Sequence, residues 1–170
     1  MRRVLLIGSG GAGKSTLARD IAARTGLPLI HLDALYWKPG WVETPADAWR
    51  DAVAELLKQD AWVMDGNYGG TLDLRLAACD TVIFIDMPPT VCLWRVIRRR
   101  LRHRGVSRPD MTPGCPERLD AGFLLWIAFY RLRRRQAIRD RLAVAAAYGK
   151  RTIVLDSAAA LRAFADALNA

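Results

Sequence analysis

Residues Gly8-Ser9-Gly10-Gly11-Ala12-Gly13-Lys14-Ser15-Thr16 constrain this chain more than any other stretch. Before them stand four apolar residues, Val4-Leu5-Leu6-Ile7, which read as a strand buried in a parallel sheet. After them comes Leu17-Ala18-Arg19-Asp20-Ile21-Ala22-Ala23, which reads as a helix. Strand, glycine loop and helix form the setting in which the pattern G-x-x-x-x-G-K-[ST] wraps phosphates. Gly8, Gly10, Gly11 and Gly13, with Ala12 among them, let the backbone turn until successive N–H groups point inward at an anion. The helix opens there with free amides and the positive end of its dipole. Lys14 adds a mobile cation for the β- and γ-phosphates, and Ser15 offers a hydroxyl to Mg²⁺. Thr16 serves the α-phosphate or packs. The expected ligand is a nucleoside triphosphate.

At 170 residues the chain suits one domain with a full core, and no internal repeat or long linker divides it. Met1-Arg2-Arg3 is followed by too few apolar residues for a signal peptide. Phe123 to Phe129 is the nearest approach to a membrane span, and it falls well short of the roughly 20 residues required. Cys79, Cys92 and Cys115 are odd in number and widely spaced, which suggests neither a disulfide framework nor a zinc ligand set. A cytoplasmic location and no membrane partner are the expectation. The net charge of +9 is concentrated in one segment. Between Arg95 and Arg141, 14 arginines stand against four acids, and the rest of the chain sums to −1. Such a segment suits a lid over a polyanionic nucleotide, a nucleic-acid patch, or in part a solvated helical face.

Further along, Thr25-Gly26 is a good helix end. Pro28-Leu29-Ile30-His31-Leu32 reads as a second strand, with Asp33 just past its carboxyl end, where open parallel sheets place their ligand crevice. Asp33 there meets the acceptor substrate or the metal, or else caps a helical turn. Tyr36, Trp37 and Trp41 cluster around the turn Pro39-Gly40, either to stack on a planar substrate or as a small satellite core. Thr44, Pro45 and Asp47 fit the N-cap, N1 and N3 places of a helix whose stripe is Trp49, Val53, Leu56 and Leu57. Trp62-Val63-Met64-Asp65 reads as a third strand. Its terminal Asp65 suits a second metal ligand or a turn before Gly66. Asn67 lies in the following loop, and Arg75 on a short helix is placed to hold a phosphate or carboxylate. Thr81 to Asp86 is a fourth strand, followed by a helix from Thr90 bearing Arg95 and Arg99. Gly105 to Glu117 has loop composition. Leu119 to Ala147 is a long helical pattern expected to bend or break near Arg131 to Arg135. Arg151 to Leu155 is a fifth strand, and Asp156-Ser157 caps a last helix, Ala158 to Leu168. The fold class expected is α/β: a five-stranded parallel sheet with helices on both faces and an Arg-rich lid.

These residues resemble the adenylate kinase-like P-loop kinases, and most nearly the group labelled DNA topology modulation protein. The likeness runs through His31-Leu32-Asp33-Ala34-Leu35 and Trp37-Lys38-Pro39-Gly40-Trp41. It continues in Asp65-Gly66-Asn67-Tyr68-Gly69-Gly70-Thr71, in Arg108-Pro109-Asp110-Met111 and in Gly114-Cys115-Pro116-Glu117-Arg118-Leu119-Asp120. It covers nearly the whole chain. The resemblance implies a P-loop NTPase fold and an ATP- and Mg²⁺-dependent phosphotransferase acting on a small-molecule acceptor. The group's label implies instead a nucleotide-binding regulator acting on DNA through its arginines. The resemblance further implies that Arg95 packs on the adenine, that Arg99 reaches the phosphates and that Arg118 and Arg131 return from the lid. Lys14, Asp33, Arg99, Arg118 and Arg131 are then the catalytic candidates, residues 34–60 the acceptor excursion and residues 99–131 the lid. Gly69 stands where adenylate kinases carry an acceptor-binding arginine, a place Arg75 is near enough to fill.

Overall fold

The computed structural model describes residues 1–102, 110–116 and 120–168. In chain order its elements are β1 (Arg3–Gly8), α1 (Lys14–Thr25), β2 (Leu29–His31), α2 (Leu32–Tyr36), β3 (Trp37–Lys38), β4 (Val42–Glu43) and α3 (Ala46–Leu57). There follow β5 (Trp62–Asp65), a 3₁₀ turn at Gly69–Thr71, α4 (Leu72–Ala78), β6 (Thr81–Ile85), α5 (Pro89–Arg102), α6 (Ala121–Ala147), β7 (Arg151–Leu155) and α7 (Ala158–Ala167). Among the described residues no helix is long and apolar enough to cross a membrane.

The apolar runs of β1, β5 and β6 have no polar face because they have no solvent face. Val4, Leu5 and Leu6 are fully buried, as are Val63, Met64, Ile83 and Phe84. The five parallel strands lie in the order β2-β5-β1-β6-β7, with Leu6 opposite Asp65 on one side and Ile83 on the other. Residues alternate between two core layers. Leu5, Ile7, Met64 and Phe84 pack with Trp49 and Val53 of α3, Leu76 of α4 and Tyr130, Ile138 and Leu142 of α6. Val4, Leu6, Val63 and Ile83 pack with Leu17 and Ile21 of α1, Cys92 and Val96 of α5, Ile127 of α6 and the partly buried Leu161 and Phe164 of α7. Since α6 serves both layers, its first half lies at the sheet's carboxyl edge, where the ligand crevice of this architecture forms.

Several local expectations shift. β2 is shorter than its apolar run, because His31 is the N-cap of α2 and Leu32 already begins the helix. Asp33 therefore sits in a helical first turn rather than in a loop. Pro45 takes the cap place of α3, while the Thr44 hydroxyl donates to the Tyr36 carbonyl, so the capping pattern moves by one residue. Pro39-Gly40 turns a two-stranded antiparallel hairpin, β3 with β4. The long helix does not break. Arg131, Arg135 and Arg139, one turn apart along α6, all reach Asp86, at 3.1, 2.6 and 3.5 Å. A single buried carboxylate thus draws three guanidinium groups to one stripe and keeps the helix regular through this stretch.

Arg75 departs furthest from expectation. It is 0% exposed. Its Nη1 donates to the Gly66 carbonyl at 2.9 Å, its Nη2 to Tyr68 and its Nε to Thr71 at 3.4 Å. All its donors face backbone, so it braces the loop between β5 and α4 from inside and does not face the crevice. Burial pushes its pKa down to about 10, which leaves it charged at neutral pH. Removing the guanidinium strands three carbonyls, so Arg75→Met is expected to lower unfolding free energy by about 3 kcal/mol or more in urea titrations. A change below about 0.5 kcal/mol contradicts the bracing role.

At the opposite edge, Asp80 ties the strands together. Its carboxylate accepts from the backbone amides of Arg2 and Arg3, both at 2.7 Å, and from the Thr81 hydroxyl at 2.6 Å. Partial burial opposes its charge, but these hydrogen bonds outweigh that and hold its pKa below the ordinary value. The stabilisation is therefore complete above the unfolded-state pKa and lost as pH falls through the lower folded value. The stability gap between the parent chain and Asp80→Asn is expected to be full at neutral pH and to close below about pH 4. A gap that persists at about pH 2 refutes this.

Candidate active site

The glycine loop begins as β1 ends and is clamped between two helices. Gly11 has φ 76°. A Cβ there would run into the carbonyl of Cys92 in α5, so no other residue lets α5 approach this closely. From the other side the Phe123 ring of α6 lies 2.7 Å from where a Gly10 Cβ would stand. The loop closes on itself through Ala12 N–H to the Ser9 carbonyl at 3.2 Å and passes into α1 through Leu17 N–H to Gly13 at 3.1 Å. Lys14 donates to the Ser9 carbonyl at 3.0 Å, and Ser15 and Thr16 complete the first turn of α1. Burial pulls the Lys14 pKa below its ordinary value. Asp33 and Asp65 work against that shift, and the nearby Arg99 adds to it.

Three of the expected residues thus act on the Lys14 charge: two carboxylates from the β2–β5 side and a guanidinium from α5. Arg95, on the same face of α5, donates through Nη1 to the carbonyls of Ala12 at 2.9 Å and Gly11 at 3.5 Å. It braces the loop backbone directly. Trp94, Arg95, Arg98, Arg99 and Arg102 line a groove of about 500 Å³, with the Arg98 guanidinium 5.1 Å over the Trp94 ring. Arg131 lies elsewhere: its guanidinium is bound to Asp86, beside Arg135. Arg118 lies outside the described residues.

On the β2–β5 side, Nδ1–H of His31 donates to Asp65 Oδ1 at 2.6 Å. Burial disfavours the charged ring, but the hydrogen bond and charge of Asp65, with the charge of Asp110, outweigh it and raise the His31 pKa. Asp33 Oδ1 accepts the Tyr68 hydroxyl at 2.7 Å. Burial, then the Asp33 charge, keeps that phenol protonated far above its usual range. Tyr68 is set by an aromatic group, with Tyr36 at 4.5 Å and Trp49 at 5.0 Å between ring centres. Tyr36 is therefore part of a satellite core, attached to the layer beneath. Trp37 and Trp41 pair at 5.3 Å in the β3–β4 hairpin. Asn67 accepts the Tyr130 hydroxyl at 2.9 Å, which fastens α6 to the loop after β5.

A stretch of the connection between α5 and α6 covers this side. The Thr112 hydroxyl donates to the carbonyls of Ala34 and Trp37. Gly40 N–H donates to Gly114 at 2.9 Å, the Cys115 thiol to Lys38 at 3.2 Å and Trp41 Nε1 to Pro116 at 3.1 Å. Asp110, Met111 and Cys115 are buried by this contact.

Sequence reasoning overlooked His31 and Tyr68 as candidate site residues. His31 carried a readable signal, a titratable residue at the carboxyl end of a strand two places before Asp33. Tyr68 did not, because its role depends on which rings meet it in space. The triple pairing at Asp86 was foreshadowed by the four-residue spacing of Arg131, Arg135 and Arg139.

The family model for ATPases associated with various cellular activities (AAA) matches residues 4–87, from the start of β1 to just past β6. No curated protein matches the chain in sequence. Among solved structures it is similar to a shikimate kinase from Acinetobacter baumannii in complex with shikimate, at 18% identity and TM-score 0.59, covering 99% of this chain and 91% of that one. A gluconokinase from Sinorhizobium meliloti 1021 is 19% identical with TM-score 0.54, over 99% and 95% of the two chains. A deoxyadenosine kinase from M. mycoides with bound dATP is 11% identical with TM-score 0.51, over the whole of both. Sheet order, glycine loop and crossing helices together make this the P-loop NTPase fold in its kinase-like form.

Proposed function

We propose that this chain is an ATP- and Mg²⁺-dependent phosphotransferase that passes a γ-phosphoryl group to a small-molecule acceptor. The observation that carries the reading is the placement of Lys14. Its Nζ reaches the Ser9 carbonyl of the glycine loop at 3.0 Å, and Asp33, Asp65 and Arg99 are near enough to act on its charge. Phosphoryl transfer requires positioning and charge neutralisation rather than covalent help from the protein, and these groups supply both. The names of the similar structures, all small-molecule kinases, favour the same reading.

The loop fits a triphosphate tail. The backbone amides of Gly8 to Thr16 and the start of α1 form an anion-binding turn, and Lys14 adds the charge for the terminal phosphates. Ser15 and Asp65 are hard oxygen donors of the kind Mg²⁺ takes. Among the described residues no three His, Cys, Asp or Glu side chains converge as a metal cage. Ser15 and Asp65 are the residues that would hold the ion, which would supply charge neutralisation at the phosphates. His31 holds Asp65 in one orientation through Nδ1. Asp33, fixed through its Oδ1 by Tyr68, orients an acceptor hydroxyl and takes its proton. Arg99 attends the transferring phosphate, and Arg95 keeps the loop in shape next to the adenine. The hairpin within residues 34–60 forms the acceptor side, and the covering stretch within residues 99–131 excludes water.

A second reading, a nucleotide-binding regulator of DNA in keeping with the topology modulation label, draws on the exposed arginines of α5 and α6. Its mark is affinity for duplex DNA that falls steeply with added salt.

Lys14→Ala is expected to leave the unfolding transition intact and to remove Mg²⁺-ATP affinity in calorimetry together with ADP formation. Full nucleotide affinity in the variant, or none in the parent chain, overturns the proposal.

A further inference from the structure

The glycine loop provides for the phosphates of a nucleotide, and the structure continues from it along one flank of α5. Arg95 joins the two. Its Nη1 donates to the Ala12 carbonyl at 2.9 Å and stands 3.5 Å from where a Cβ of Gly13 would lie. Trp94, Arg95, Arg98, Arg99 and Arg102 line a groove of about 500 Å³ there, within the range of about 300–1,000 Å³ that small-molecule sites occupy. At about 3.6 residues per turn, these five fall within an arc of roughly 140°. Cys92 and Val96, buried against the loop, occupy the arc beside it. The groove therefore opens at the glycine loop and runs outward along α5.

Four of these five residues carry guanidinium groups, which suit phosphate, and the fifth carries an indole. Trp94 is 57% exposed, and the Arg98 guanidinium lies 5.1 Å over its ring. That contact restrains the indole and covers one of its faces. Arg95 is engaged differently, since its Nη1 is drawn onto the carbonyls of Ala12 and Gly11 and braces the loop. The one aromatic ring among the five is therefore the surface they offer to the flat part of a ligand. A purine matches it: its π-face stacks on an aromatic ring, and its ring nitrogens accept from guanidinium groups. The triphosphate tail then lies toward the loop, where Lys14 reaches the Ser9 carbonyl.

We propose, on the basis of the phosphotransferase reading above, that the base of the donor nucleotide stacks on Trp94. The indole then lies between the Arg98 guanidinium and the base. A stack discriminates by ring area, and a two-ring purine covers more of the indole than a one-ring pyrimidine does. Trp94 thus sets a preference for purine over pyrimidine triphosphates, while the glycine loop and Lys14 set affinity for the phosphates. The two contributions separate, because a ligand with phosphates and no base meets only the second.

Five Mg²⁺ complexes are titrated by calorimetry into the full chain: those of ATP, GTP, CTP, UTP and tripolyphosphate, which has no base. ATP and GTP are expected to bind with dissociation constants at least about fivefold below those of CTP and UTP. Trp94→Ala is expected to weaken ATP and GTP by about tenfold, to change tripolyphosphate by less than about twofold, and to erase the purine preference. Trp94→Phe, which keeps an aromatic face, is expected to restore most of that preference. Equal affinity for purines and pyrimidines in the parent chain overturns the proposal, and this comparison stands whether or not Trp94→Ala folds. A purine preference that survives Trp94→Ala overturns it too, as does a loss of tripolyphosphate affinity equal to the loss for ATP. Tripolyphosphate that binds as tightly as ATP overturns the stack and leaves the phosphotransferase reading standing. Failure of all five to bind the parent chain instead removes that reading, and the proposal with it.

Discussion

The contact between Gly11 and the carbonyl of Cys92 sets the geometry on which the site depends. With no Cβ in the way, α5 lies against the glycine loop. Its residues Cys92, Arg95, Val96 and Arg99 then fall at i, i+3, i+4 and i+7, on one helical face. The apolar members Cys92 and Val96 are fully buried, and the cationic members are carried to the loop and to Lys14 by the same packing. Loop shape and guanidinium placement therefore share a single cause. A larger residue at position 11 would move both together.

Charge in this chain is sorted by position rather than spread. The basic segment supplies α5 and α6, but its arginines fall into two groups with different surroundings. On α5, Arg95 donates to the glycine-loop carbonyls and Arg99 is near enough to act on the Lys14 charge. On α6, Arg131, Arg135 and Arg139 converge on Asp86, whose side chain is 2% exposed. A carboxylate buried so deeply without partners would be costly, and three guanidinium groups more than cover its charge. Asp86 directly follows β6, next to the strand that carries the loop, so this cluster fixes the long helix over the carboxyl edge of the sheet. Formal charge alone would have assigned all these arginines to ligand binding.

The architecture was legible because its signals are local. Apolar runs at 4–7, 62–65, 81–85 and 151–155 became strands, and Gly26 ended α1 with a left-handed φ of 69° as expected. The loop motif put Lys14 and Ser15 in the first turn of α1 because strand, turn and helix are consecutive in sequence. Errors gathered where distant residues decide the outcome. Thr44 left its capping place because the Tyr36 carbonyl, eight residues away, offered its hydroxyl a partner. Arg75 turned inward because the loop after β5 presents three carbonyls that no local rule foresees. The helix around Arg131 stayed whole because of a carboxylate 45 residues earlier. The candidate site follows the same division: the glycine loop is one consecutive motif, whereas the partners of Asp33 and Asp65 come from elements brought together by the sheet.

The seal over the acceptor side has a physical consequence of its own. Residues 110–116 meet the hairpin almost wholly through main-chain acceptors: the carbonyls of Ala34, Trp37 and Lys38 on one side, Gly114 and Pro116 on the other. The donors are mostly side chains, the Thr112 hydroxyl, the Cys115 thiol and the Trp41 indole, so the contact depends on these residue types. They also order the hairpin that carries Trp37 and Trp41, and Gly114 fits against Pro39 where a Cβ would stand 3.1 Å from its ring. Hairpin and covering stretch are consequently fastened to each other and, through the Ala34 carbonyl, to the helix that carries Asp33. The contacts that bury Met111 and Cys115 are thus the ones that meet the hairpin holding the Trp37–Trp41 pair, so the packing of the two segments is coupled.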